Sequence, residues 1–228
     1  MQAFTRTFAR HTAIPAAPRQ MRFSRAVHLE TGDAVSLIAD LPRQYEERPR
    51  FGPAAPAQPA ETPVDWVARQ LEDAVALSEL AEDWTRPIHI PTPGVALCHP
   101  DLATVCEAAV ARTRLTPQEI CLQVRDSDLY EDREGAFEGV ARLRSVGFRV
   151  AVDARRSWCA PDSEGLRAML DSALVNACDL ERDETLEAYA QRAHGSGLLV
   201  IAAGARWRDG ETLAGFGITH ALAPRTDA

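Results

Sequence analysis

The sequence predicts an α/β barrel of the TIM type, with parallel strands closed on themselves and helices outside. Three observations carry this. Short apolar runs alternate with segments whose apolar residues recur at helical spacing, the pattern of β–α units on a parallel sheet. Six or more such units fit within 228 residues, which suits a compact, somewhat reduced barrel. No G-x-G-x-x-G follows any apolar run, which weighs against the runner-up, a doubly wound open sheet around a dinucleotide.

Residues 1–20 carry Arg6, Arg10 and Arg19, no acid and little periodicity. They read as a flexible arm ahead of one domain spanning 21–226. "RFSRAVHLE" (22–30) and "DAVSLIADL" (33–41) are strands, with Thr31-Gly32 as their hairpin turn. "RPRFGPAAPAQPAETP" (48–63) is a Pro/Ala-rich insertion that neither a helix nor a central strand tolerates, hence a loop. From Asp65 to Trp84, Trp66, Val67, Leu71, Val75, Leu77 and Leu80 recur at helical spacing.

Alternation follows. "IHIP" (88–91) is a short strand, and Asp101 to Arg112 a helix with Asp101 as its cap. "EICLQV" (119–124) is a strand. Asp132 to Ser145 is a helix that Gly147 closes. "FRVAVDA" (148–154) is a strand, Ser163 to Ser172 a helix, "ALVNAC" (173–178) a strand and Asp183 to Ala193 a helix. "LLVIAAG" (198–204) is a strand, Gly210 to Gly215 a short helix and "THALA" (219–223) the last strand.

Composition excludes several functions. Net charge is −8, against wholesale binding of nucleic acid. No run approaches the roughly 18 apolar residues of a membrane span, and no signal peptide is visible. The five cysteines are scattered without a C-x-x-C pair and read as reduced thiols of a cytoplasmic protein. The six histidines are equally dispersed, so no metal cluster is expected. All 25 basic residues are arginine, and Asn176 is the sole asparagine. Chemistry that needs a lysine is therefore closed to this chain, whereas planar guanidinium forks suit phosphates and guanine edges.

Ligands of such barrels meet the loops beyond the C-terminal ends of the strands. Those ends are Asp40, Pro91, Arg125-Asp126, Asp153 to Arg156, Asn176 to Cys178, Ala203 to Arg206 and Leu222. Their order resembles the EAL-domain family, bacterial barrels that hydrolyse or bind cyclic di-GMP, over residues 22 to 224. "AVHLETGDAVSLIADLPR" is similar to the family's opening hairpin. "LTPQEICLQVRDSDLYEDREGAFEGVARLRSVGFRVAVDARRSWC" resembles its central stretch, and "LLVIAAGARWRDGETLAGFGITHALAP" its last two strands.

The resemblance implies carboxylates and an asparagine around divalent metals, with a lysine and a glutamate handling the attacking water. Position by position this set is gone. The signature glutamate falls on Ile38, the asparagine on Pro91, a metal glutamate on Gln123, the lysine on Asn176 and the late glutamate on Ala203; of the paired aspartates, Asp153 stays beside Ala154. The expectation is a barrel that is not an enzyme and uses no metal or cofactor.

What the strand ends carry instead is arginine: Arg125, Arg155, Arg156, Arg206 and Arg208. Arg125 to Asp128 and Arg206 to Asp209 have the form Arg-x-x-Asp, which recurs in receptors for cyclic di-GMP. Arginine reaches a phosphate or the O6/N7 edge of guanine, and aspartate accepts from guanine N–H groups. Trp207 offers a plane to stack a base, and so does Trp158 on the loop "ARRSWC". Composition alone yields roughly two such motifs by chance, so position, not number, is the argument.

The candidate ligand-binding residues are Arg125, Asp128, Arg155, Arg156, Arg206, Trp207 and Asp209. Bland alternatives stand beside these: Asp126 and Asp153 as helix caps or members of a buried ion pair, Asp128 as a cap, "RWRD" as a solvated helix start with Trp207 as packing, and Trp158 as the anchor of a surface loop. The function expected is a cytoplasmic receptor for cyclic di-GMP, with ppGpp competing for the same arginines and an unknown downstream protein as partner. The alternatives are a protein-interaction module without a nucleotide ligand, and an enzyme with residual phosphodiesterase or other hydrolase activity.

Overall fold

In the computed structural model, residues 21–40, 61–156, 164–206 and 209–223 are described. Eight strands close into a barrel in chain order: β1 (Arg22–His28), β2 (Ala34–Asp40), β3 (Ile88–Thr92), β4 (Ile120–Arg125), β5 (Arg149–Ala154), β6 (Ser172–Asn176), β7 (Leu199–Ala203) and β8 (His220–Leu222). The α/β barrel expected from the sequence is thus the fold, and the open-sheet alternative is set aside. Strands β2 to β8 run parallel, while β1 is antiparallel to both of its neighbours, β2 and β8. The hairpin β1–β2 turns through Gly32, whose positive φ of 74° a side chain would resist.

Helices α1 (Pro63–Leu80), α2 (Gly94–Leu97), α3 (Leu102–Val110), α4 (Asp126–Glu131), α5 (Arg133–Val146), α6 (Glu164–Arg167), α7 (Ala177–Leu180), α8 (Glu184–Gly195) and α9 (Gly210–Gly215) connect the strands. Their ends follow local chemistry. Thr62 accepts from Asp65 N at 3.1 Å and Pro63 occupies the first helical position of α1. Asp132 accepts from Gly135 N at 3.1 Å to open α5, and Gly147 closes it at φ 99°. Asp183 accepts from Thr185 N and Leu186 N at the start of α8.

Four expectations need correction. The first helix begins at Pro63, inside the stretch read as loop, and ends at Leu80, so Leu80 and Trp84 are exposed rather than core. Asp101 caps nothing with its side chain, because its backbone is already helical at φ −87°, ψ −4°. The helix expected over 163–172 is the single turn α6, and Ser172 opens β6. Cys178 lies in α7 rather than in the preceding strand. The arm 1–20 and residues 48–60 of the Pro-rich stretch lie outside the described residues.

Alternation along each strand divides the core into two layers. Ala26, Ile38, Cys121, Ala151, Leu174 and Ile201 fill the barrel interior. Leu37, Ile88, Ile90, Leu122, Val150, Val152, Val175 and Val200 face outward beneath the helices. The helix layer is tight where α5 crosses α2. A Cβ added to Gly139 would lie 2.2 Å from the carbonyl oxygen of Leu97.

Helix propensity alone favours Gly139→Ala by about 1 kcal/mol. The contact reverses the sign, and we expect a net loss of about 1–3 kcal/mol in urea unfolding. A stabilised variant would contradict the packing described.

Candidate functional site

Because β2 to β8 are parallel, their C-terminal ends gather on one face. Asp40, Arg125, Ala154, Asn176, Ala203 and Leu222 end their strands there. Antiparallel β1 contributes its start, with Arg22 in register with Asp40. Ser24 Oγ donates to Asp40 Oδ2 at 3.1 Å. Ile38 is fully buried, so β2 delivers Asp40 to the mouth as its acid.

Three arginines at this face are each gripped by an aspartate. Arg155 donates from Nε to Asp153 Oδ1 at 2.8 Å and from Nη2 to Oδ2 at 2.7 Å, and its backbone N adds a 3.1 Å bond to Oδ1. Gln123 Nε2 donates to the same Oδ2 at 2.8 Å, so Asp153 is approached from two strands. Arg125 reaches Asp128 with Nη2 at 2.8 Å and Nε at 3.2 Å. Asp128 is buried, and a Cβ added to Gly94 of α2 would meet it at 2.8 Å. Arg206 donates from backbone N (2.9 Å) and Nε (3.2 Å) to Asp209 Oδ2.

These forks lie in two groups. Arg125 is in register with Asp153 on the adjacent strand, which brings the Arg125 and Arg155 forks side by side. The Arg206 fork stands past β7, one strand beyond β6, where it borders a shallow cleft with Ala177, Cys178, Glu181, Leu213 and Phe216. Arg156 is exposed just past β5. Trp207, Arg208 and Trp158 lie outside the described residues. Asn176 caps α7, its Oδ1 accepting from Cys178 N at 3.1 Å.

The electrostatics follow from burial against pairing. Burial pushes the Asp153 carboxyl up, but the hydrogen bonds and charge of Arg155, with Gln123, outweigh it and hold the group below its ordinary range. Burial pulls Arg155 down, Asp153 and then Asp40 pull it up, and the net direction is up. The Asp153 pairing therefore stabilises the fold above the ordinary carboxylate range and is lost as pH falls through the lowered value.

One residue of the interior lies outside the candidate set. His89 is in register with Ile38 and Cys121 and is 1% exposed. Burial, then the charges of Arg149 and Arg155, lower its pKa to about 3. Only the strand parity of "IHIP" points it inward. The Asp153–Arg155 part of the Gln123–Asp153–Arg155 chain does carry a signal, because residues two apart at a strand end share a face, as in "VDAR", and the ion-pair alternative for Asp153 is the one found.

No protein-family profile matches the sequence. An uncharacterized signaling protein of Caulobacter vibrioides is 30% identical over 92 residues, 39% of this chain and 10% of that protein. Among solved structures, Klebsiella pneumoniae BlrP1 in a manganese and cyclic di-GMP complex superposes with a TM-score of 0.69 at 18% identity. That match covers 92% of this chain and 55% of BlrP1. The PaMucR phosphodiesterase in complex with cyclic di-GMP gives 0.66 at 18% identity, over 89% and 92% of the two chains. The EAL domain of Mycobacterium smegmatis DcpA gives 0.68 at 17% identity, over 89% of each. The barrel is thus the fold of EAL domains. The chain spans about a tenth of the curated relative, and little more than half of BlrP1.

The divalent metals that the EAL resemblance implies do not fit the residues at this mouth. Both oxygens of Asp153 are bonded to a guanidinium, and Ala154 and Gln123 supply no second carboxylate. Among the described residues, no group of three or more His, Cys, Asp and Glu is placed to hold a metal. No described helix is long and apolar enough to cross a membrane.

The neutral state of His89 sets a pH dependence. The unfolded chain protonates this histidine below about pH 6.5, while the folded chain resists until about 3. Stability therefore falls as pH drops through that window. His89→Gln should give a flatter acid limb in a series of urea melts from neutral to acid pH, and an unchanged slope would contradict the burial of the ring.

Proposed function

We propose that this barrel is a catalytically inactive receptor for cyclic di-GMP. Its arginines capture the phosphates, and ppGpp competes for the same groups. The fold it shares with EAL domains, two of them solved with cyclic di-GMP, supports a nucleotide at this face. The observation that carries the reading is the replacement of an acidic mouth by arginine–aspartate forks at Arg125, Arg155 and Arg206. A guanidinium presents five N–H donors in a planar, permanently charged fork, the kind of donor that phosphate oxygens accept.

Arg206, Asp209 and Trp207 form the guanine-binding side in this proposal, with Arg125, Asp128, Arg155 and Arg156 on the other. Chemistry is not expected, because no lysine exists in the chain and Asp153 stands beside Ala154. On this reading it acts like the non-catalytic second-messenger receptor SmbA, with a downstream protein reading the occupied state.

Titration calorimetry with cyclic di-GMP and with ppGpp should show binding of each to the wild type and competition between them. Arg206→Ala should weaken cyclic di-GMP at least about tenfold, the loss of roughly one charge-assisted contact. No heat from either nucleotide at millimolar concentration sinks the proposal. Incubation of cyclic di-GMP with magnesium or manganese should return intact ligand on chromatography, and linear product would make the chain an enzyme.

A further inference from the structure

The turn between α1 and β3 is held firmly, yet what it presents to water is apolar. Leu80 is 81% exposed and Trp84 63%, and Leu80 is the most exposed of the large apolar residues described. Asp83 N donates to Ser78 O at 2.9 Å, which closes the turn, and Glu82 takes a positive φ of 53° that a residue with a side chain seldom adopts. Asp83 Oδ2 accepts from Arg25 of β1, with Nη2 at 2.7 Å and Nε at 2.8 Å, and Oδ1 accepts from Thr85 N at 3.1 Å. Arg86 donates through Nη1 to the carbonyls of Asp83 and Thr85 and through Nη2 to Ser78 Oγ. A tryptophan whose backbone is fixed on both sides has little freedom left to lose on contact, the property of an interface anchor.

We infer that residues 1–20 of this chain occupy that ledge, with Phe4 and Phe8 on Leu80 and Trp84, and Arg6 and Arg10 against the acids beside them. Charge, pattern and reach select this segment. Glu79 and Glu82 flank Leu80, while the segment carries Arg6, Arg10 and Arg19 and no acid. In "FTRTFAR" phenylalanine and arginine take turns at every second position, and the ledge likewise intersperses acids with its two apolar side chains. The segment joins the barrel at Met21, and four strand residues, roughly 13 Å, separate Met21 from Arg25, whose guanidinium holds the neighbour of Trp84. The twenty residues ahead of Met21 can span several times that distance. A second copy of the chain fits less well, because a two-fold contact through this ledge would bring its acids together. The ledge precedes β3, at the end of the barrel opposite the mouth, so the contact needs no nucleotide.

The test maps the neighbours of residue 84 in the full chain. Trp84→p-benzoylphenylalanine, an aromatic replacement at an exposed position, is irradiated and the product digested for mass spectrometry. The expected cross-link lies within one molecule, runs as a monomer on a denaturing gel, and joins residue 84 to a peptide inside residues 1–20. Phe4→Ser combined with Phe8→Ser should abolish it. In parallel, chymotrypsin should cleave after Phe4 and Phe8 at least about fivefold faster in Trp84→Ala than in wild type, because an undocked segment is open to protease. Leu80→Ser, which keeps the tryptophan, should show the same faster cleavage. The inference is overturned by cross-links only to other parts of the barrel, by none at all, by a cross-link that survives the double serine variant, or by equal cleavage rates. A cross-linked dimer also overturns it and makes a second copy the occupant.

Discussion

The structure depends on the closure of the barrel by β1. Seven parallel strands have two free edges, and one antiparallel strand covers both, pairing Ala26 with Ser36 of β2 and with Leu222 of β8. An unpaired edge would expose a row of backbone donors and acceptors. Closure also defines the interior that Ile38, Leu174 and Ile201 fill, with Ala26, Cys121 and Ala151 leaving them room. Because β1 runs the other way, its start rather than its end reaches the mouth. Ser24 is there to bond Asp40, and the two strands of one hairpin set a single acid in place.

Much of this was legible in the sequence, and the exceptions have physical causes. All eight strands appear as apolar runs, and Gly32 and Gly147 mark turns that need positive φ. The short helices α2, α4 and α7 escape notice, because four to six residues give periodicity too little length to register. Asp101 looks like a cap by residue type, yet capping needs an extended backbone that it lacks. The boundary at Ser172 misleads because a serine inside a barrel resembles a serine ending a helix.

The site was legible by position more than by contact. Arg125, Arg155 and Arg206 do stand at the strand ends, but two of the aspartates that grip them, Asp128 and Asp209, were read as ligand groups of their own. Asp128 is a buried group packed on α2, and Asp209 accepts from the backbone of Arg206 as well as from its side chain. Acids three residues from an arginine can serve the protein or a ligand, and only the fold separates the two. Asp153 and Gln123, neither of them a candidate binding residue, form the most connected part of the mouth.

The small size of Gly94 has a consequence for communication across the molecule. With no side chain there, α2 rests directly against the Asp128 carboxylate, which is also the anchor of Arg125. An anion that drew Arg125 toward solvent would leave Asp128 without that partner, and the cost of the exposed imbalance would fall on the junction between the third and fourth strands. The glycine thus puts a neighbouring helix in direct contact with the rim: an anion held by Arg125, as proposed, would be felt through Asp128 by the segment after β3.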